Sequence, residues 1–132
     1  RLGGVVLYSI RLFKYWNNYA KMVTVDGYVM ESILLDYYET KEEVSPYVDI
    51  NFINLLSYVY ERIEYSISDP KKIQGDINNL DYYERQSVKE KVKTVYGKAV
   101  QAYYAEKDND YEKSINIWRD IFGKDFPRYE KR

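Results

Sequence analysis

Cysteine and histidine are both absent from this chain. Without cysteine there is no disulfide, no thiolate nucleophile and no thiolate metal ligand. Without histidine the commonest general base and the commonest metal ligand are gone as well. Cys-His and Ser-His-Asp catalysis and Cys/His zinc sites are thereby excluded. No apolar run approaches the roughly 20 residues needed to span a bilayer, and no signal-peptide pattern shows. A membrane partner is therefore not expected, and the composition fits a cytoplasmic protein. No Gly-Ser dipeptide occurs anywhere, and neither strand-like alternation nor an internal repeat is evident.

What remains is 132 residues of helix-forming sequence, long enough for one domain that buries most of its apolar surface without staples. The formal net charge is −1, but it is unevenly spread. Residues 1–25 carry Arg1, Arg11, Lys14 and Lys21 and no acid. Residues 26–49 carry Asp26, Glu31, Asp36, Glu39, Glu42, Glu43 and Asp49 against Lys41 alone. A long nucleic acid is an unlikely partner for such a surface, whereas a small anion site near the first helix fits it. The 17 tyrosines supply amphipathic bulk that fills a core while the hydroxyl reaches water.

Hydrophobic spacing predicts five helices in a compact all-α bundle. The first, Val5 to Asn18, sets Val6, Ile10 and Phe13 on one face, widened by Val5, Leu12 and Trp16. Tyr8, Arg11, Tyr15 and Asn18 form its polar stripe, with Lys14 beside Arg11. Asp26 is placed to cap a second helix, Tyr28 to about Glu39, burying Met30, Ile33, Leu34 and Tyr37. A third opens at Ser45-Pro46, with Asp49 a competing cap, and runs to roughly Ser66 on the stripe Phe52, Leu56, Val59, Ile63 and Ile67. Ser68-Asp69-Pro70 stops it, and Lys71 to Leu80 reads as an irregular crossover. Asp81 with Glu84 makes a capping-box start for a long helix to about Lys107 that buries Val88, Val92, Val95, Ala99, Ala102 and Tyr103. Gly97 within it is expected to mark close helix packing. After the turn Asp108-Asn109-Asp110 comes the last helix, Tyr111 to Phe122, burying Ile115, Trp118, Ile121 and Phe122 and stopping at Gly123. Phe126-Pro127 is expected to fold back. The last two helices are expected to form a hairpin like a single tetratricopeptide unit.

Asp108-Asn109-Asp110 is formally a D-x-D, the carboxylate pair that holds magnesium in nucleotidyl transfer. Such a pair needs a rigid place beside a phosphate cradle; here turn and capping chemistry explains it better. Arg11 and Lys14 suit phosphate oxygens, or else form a solvated helical edge. Tyr28 can stack on a base, or else is one more half-buried tyrosine.

Two stretches point to a family. Ile10-Arg11-Leu12-Phe13-Lys14-Tyr15-Trp16-Asn17, followed by Gly27-Tyr28-Val29-Met30-Glu31, resembles the "R-L-hydrophobic-K-x-W … Y-x-x-E" stretch of oligoadenylate synthetase and cGAS-like nucleotidyltransferases. The run from Tyr111 to Pro127 resembles the "A-x-x-x-W-x-x-x-F-G-x-x-F-P" ending of the bacterial branch, the cyclic-oligonucleotide synthases (CD-NTases) of anti-phage signalling. Ser114 stands where that pattern has Ala. Asp69-Pro70 and Gly75-Asp76-Ile77-Asn78 also sit where the family has its D-P and following connector.

The resemblance implies a helical domain that faces a catalytic domain across a cleft. With no initiator Met and an abrupt helical start, the chain is expected to be a C-terminal fragment, residues 1–132 forming one helical domain. The partner domain would carry the Gly-Ser turn and the carboxylates that bind Mg2+ (or Mn2+), so this fragment alone would be inactive. By the same resemblance Lys14 contacts the triphosphate of a nucleoside triphosphate, Tyr28 stacks on or flanks a base, Arg11 assists, and Glu31 ties the two helices together through Lys14 or Arg11. No catalytic or metal-binding residue is assigned within this chain. The other reading is a free-standing helical interaction module. A HEPN-type nuclease is set aside because its R-x(4–6)-H motif needs histidine.

Overall fold

The computed structural model describes residues 3–20 and 25–123. Over them the chain is a bundle of five helices without a strand, as the spacing predicts: α1 (Gly4–Tyr19), α2 (Gly27–Glu39), α3 (Val48–Arg62), α4 (Tyr82–Lys107) and α5 (Tyr111–Phe122). Among the described residues no helix is long and apolar enough to cross a membrane. The expected fold-back at Phe126-Pro127 lies outside the described residues.

α3 is the middle of the bundle, packed on α1, α2 and α4, while α5 lies along α4 and reaches α1. An aromatic cluster centred on Phe52 makes this arrangement specific. Its ring meets Phe13 at 5.5 Å and Trp16 at 6.1 Å from α1, and Trp118 at 6.1 Å and Phe122 at 5.0 Å from α5. Offset and edge-on aromatic contacts of this kind add about 0.5–1.5 kcal/mol each beyond the area they bury. All five rings are buried.

Helix ends follow local chemistry where the capping residue is close in sequence. Asp81 and Glu84 form a reciprocal capping box at the start of α4. Asp110 accepts from the Lys113 N–H at the start of α5, and Asn109 takes the left-handed turn position at φ 66°. The D-x-D is thus spent on a helix–helix turn. Gly123 ends α5 at φ 93°, and a Cβ there would meet the Tyr19 ring at 2.9 Å, so both backbone and space require glycine.

The structure corrects α3 at both ends. It begins at Val48, not at Pro46; the Ser45 hydroxyl accepts from the Tyr47 N–H in a turn before the helix, and Asp49 falls inside the first turn rather than capping it. It ends at Arg62, short of Ser66. There the buried Asn78 amide donates to the Ile63 carbonyl at 2.9 Å and the Tyr65 carbonyl at 2.8 Å, which draws the chain out of the helical ladder. Ile67 is buried nonetheless.

Four packing expectations also change. A Cβ at Gly97 would meet nothing within 4 Å, so this glycine marks no close approach; α4 forgoes about 1 kcal/mol there relative to alanine. Tyr38, not Tyr37, is the fully buried tyrosine of α2, its hydroxyl donating to Asn51 at 2.7 Å. Ile115 and Tyr103 are half-buried, whereas Ser114 faces α4. Its hydroxyl donates to the Ala102 carbonyl at 2.8 Å. A serine therefore occupies an alanine-sized place with its one polar atom satisfied.

Candidate functional site

α1 and α2 run antiparallel. The Asn17 side-chain amide donates to the Val25 carbonyl at 3.4 Å, joining the end of α1 to the start of α2. One turn further along, Lys14 Nζ donates to Glu31 Oε1 at 3.1 Å. Glu31 thus does tie the two helices together, and through Lys14 rather than Arg11. Both side chains remain about four-tenths exposed, 41% and 45%. An exposed pair of that kind contributes about 0–1 kcal/mol, so its effect is to place the ammonium on the helix seam more than to stabilise the fold. A phosphate oxygen arriving there competes with a weak partner.

Tyr28 lies three residues before Glu31 on α2, which makes them neighbours on one helical face. Lys14, Glu31 and Tyr28 accordingly line one side of the hairpin. Arg11 is exposed one turn before Lys14 on α1 and makes no ion pair among the described residues. Of the three sequence-predicted residues, Lys14 is paired with Glu31 across the helix seam, Tyr28 is bonded to Asp69, and Arg11 is exposed.

The feature that the sequence did not reveal is Asp69. Its buried carboxylate accepts the Tyr28 hydroxyl and the backbone N–H groups of Lys71 at 2.9 Å, Ile73 at 3.2 Å and Gln74 at 3.0 Å. The segment 69–76 is thereby folded on its own carboxylate and clasped to the start of α2. The Asp69 carboxyl is held down at about 2, by the Tyr28 hydroxyl first and then by the N–H groups, against the opposing effect of burial. The same bond, with burial, pushes the Tyr28 hydroxyl up. Asp69-Pro70 followed six positions later by Gly75-Asp76 is the local signal for such a folded loop.

A depressed carboxyl pKa stabilises the folded state above the unfolded value and loses that contribution as pH falls through the folded one. The Asp69 contribution is therefore expected intact at neutral pH and lost between pH 3.8 and about 2. Acid titration of the melting temperature checks it: Asp69→Asn should flatten the wild-type decline in this window, and an unchanged decline would assign it to other carboxylates.

Among the described residues no group of three or more acids or other ligating side chains converges to hold a metal ion. Asp110 is engaged in capping.

No family profile matches the chain. It is 33% identical over 131 residues to a protein of Bacillus cereus (strain VD146), an alignment covering 98% of this chain. That protein is named a probable cyclic nucleotide synthase. The likeness agrees with the nucleotidyltransferase resemblance carried by the α1–α2 and C-terminal motifs. The chain spans 39% of that relative's length.

Proposed function

We propose that this chain is the helical nucleotide-binding half of a cGAS/oligoadenylate-synthetase-like nucleotidyltransferase, one that makes cyclic di- or oligonucleotide second messengers in anti-phage defence. The observation that carries this reading is the near end-to-end similarity to a probable cyclic nucleotide synthase of which the chain spans 39%. The positions of Lys14 and Tyr28 on one side of the α1–α2 hairpin support it.

In this reading the other half is an N-terminal catalytic domain that brings the Mg2+- or Mn2+-binding carboxylates, and nucleoside triphosphates lie between the two halves. Lys14 meets the triphosphate as a point charge. Tyr28 flanks the base, its hydroxyl fixed by Asp69 so that the ring cannot swing. Arg11, exposed and without an acid beside it, adds positive potential along the approach. The enzyme works in the cytoplasm, and the helical domain by itself turns nothing over.

Lys14→Ala tests the site. Removing a charge-assisted contact at a phosphate typically costs a few kcal/mol, so product formation by the complete gene product is expected to fall at least about tenfold. Melting temperature should barely move, because the Lys14–Glu31 pair is exposed. Lys21→Ala, outside the matched motif, is the control and should do little. Unchanged turnover and nucleotide affinity in Lys14→Ala would make Lys14 a surface residue and sink the assignment.

A further inference from the structure

We propose that Lys71 is a further phosphate-contacting residue of this site, presented at the ring of Tyr28 by the loop that Asp69 clasps. The inference rests on the reading of Tyr28 as the base-flanking residue. Lys71 Nζ stands 5.7 Å from the centroid of the Tyr28 ring, near the outer limit of a cation–π contact. Its backbone is fixed, not loose: the Lys71 N–H donates to Asp69 Oδ1, and the next residue's N–H returns to the Asp69 carbonyl at 2.9 Å. Lys72 sits in the left-handed region at φ 58° to complete that turn.

Charge makes the assignment sharper than proximity does. The acid nearest to Lys71 in sequence is Asp69, whose carboxylate already takes four donors, three of them backbone N–H groups, and faces the loop interior. Neither Lys71 nor Lys72 makes an ion pair among the described residues. Lys14, by contrast, is balanced by Glu31. The predicted phosphate-contacting cation is therefore locally neutralised, while an unbalanced one stands at the ring. A nucleotide whose base lies against Tyr28 carries several negative charges within reach of a side chain as long as lysine. The weak ring contact is readily exchanged for a charge-assisted bond to phosphate oxygen.

The test uses the complete gene product, titrated with the four non-hydrolysable nucleoside triphosphates, alongside steady-state kinetics. Lys71→Ala is expected to raise the Kd of the preferred triphosphate about fivefold or more. KM should rise with it and kcat change less than about twofold, the pattern of lost uniform binding. Lys71→Arg should recover most of the affinity, and the melting temperature of both variants should match the parent because the side chain is exposed. If Lys71→Ala binds like the parent while Lys14→Ala and Tyr28→Ala bind weakly, Lys71 only covers the ring and this inference is overturned while the site stands. If none of the three variants changes affinity, the nucleotide site itself falls with it.

Discussion

Trp118→Ala is expected to lower the melting temperature by roughly 10–20 °C, the largest single-residue effect in the domain. Trp118 is buried with its ring stacked on Phe122 at 5.9 Å and edge-on to Phe52 at 6.1 Å. Truncating a buried Trp costs about 3–5 kcal/mol, out of about 5–15 kcal/mol for a whole domain; a chain of this size loses several degrees per kcal/mol. The hole would open where α1, α3 and α5 meet, so the loss should be cooperative and visible by both far- and near-ultraviolet circular dichroism. Tyr83→Ala, at a ring 80% exposed, should melt with the parent. A Trp118→Ala protein that melts within a few degrees of the parent would show α5 to be peripheral.

Asn78→Ala should follow closely, at about 2–4 kcal/mol. One buried amide serves three backbone groups: it donates to the Ile63 and Tyr65 carbonyls and accepts from the Leu80 N–H at 3.2 Å. Alanine leaves all three without that partner where water has little access. Asn78→Asp is the informative companion, since it keeps the acceptor for Leu80 but sets a carboxylate against two carbonyl oxygens. It should be no more stable than Asn78→Ala. Chemical denaturation checks both, and a cost below about 0.5 kcal/mol for either would mean that the turn after α3 is held by packing alone.

These two sites mark what the chain discloses on reading and what it conceals. Trp118 announces itself through helical spacing with Ile121 and Phe122 and through Gly123 just beyond. Asp81 and Glu84 do the same for α4, because a cap and its partner lie within one turn. Asn78 acts on residues 15 and 13 positions away, and nothing near Ile63 hints that its carbonyl will be claimed; the periodic stripe simply continues to Ile67. The true end of α3 was therefore hidden, although the burial of its stripe was plain. Gly97 misled for the opposite reason. A glycine in a helix reads as close packing, but only the neighbours decide, and there are none.

At the candidate site the division is the same. The seam between Lys14 and Glu31 was readable because both belong to adjacent helices in one motif. The tie between Tyr28 and Asp69, 41 positions apart, was not, and with it went the placement of Lys71. Asp69-Pro70 reads as a helix stop; that the same carboxylate would gather a loop and hold a ring steady depends on the tertiary fold.

The position of Lys14 in α1 has a bearing on how variants of this protein are to be interpreted. Its chain neighbour Phe13 and, two residues on, Trp16 are sealed into the Phe52 cluster, and Tyr15 leans on Phe122 near the far end of the chain, its ring centroid 6.5 Å away. The cation is thus mounted on the same rings that hold the bundle shut, with no hinge between them. Loosening the interior at Phe52 or Phe122 is expected to displace the ammonium as well, so under the proposed function nucleotide affinity and thermal resistance should fall together. A substitution far from any ligand will masquerade as a contact mutant unless both are measured on the same sample.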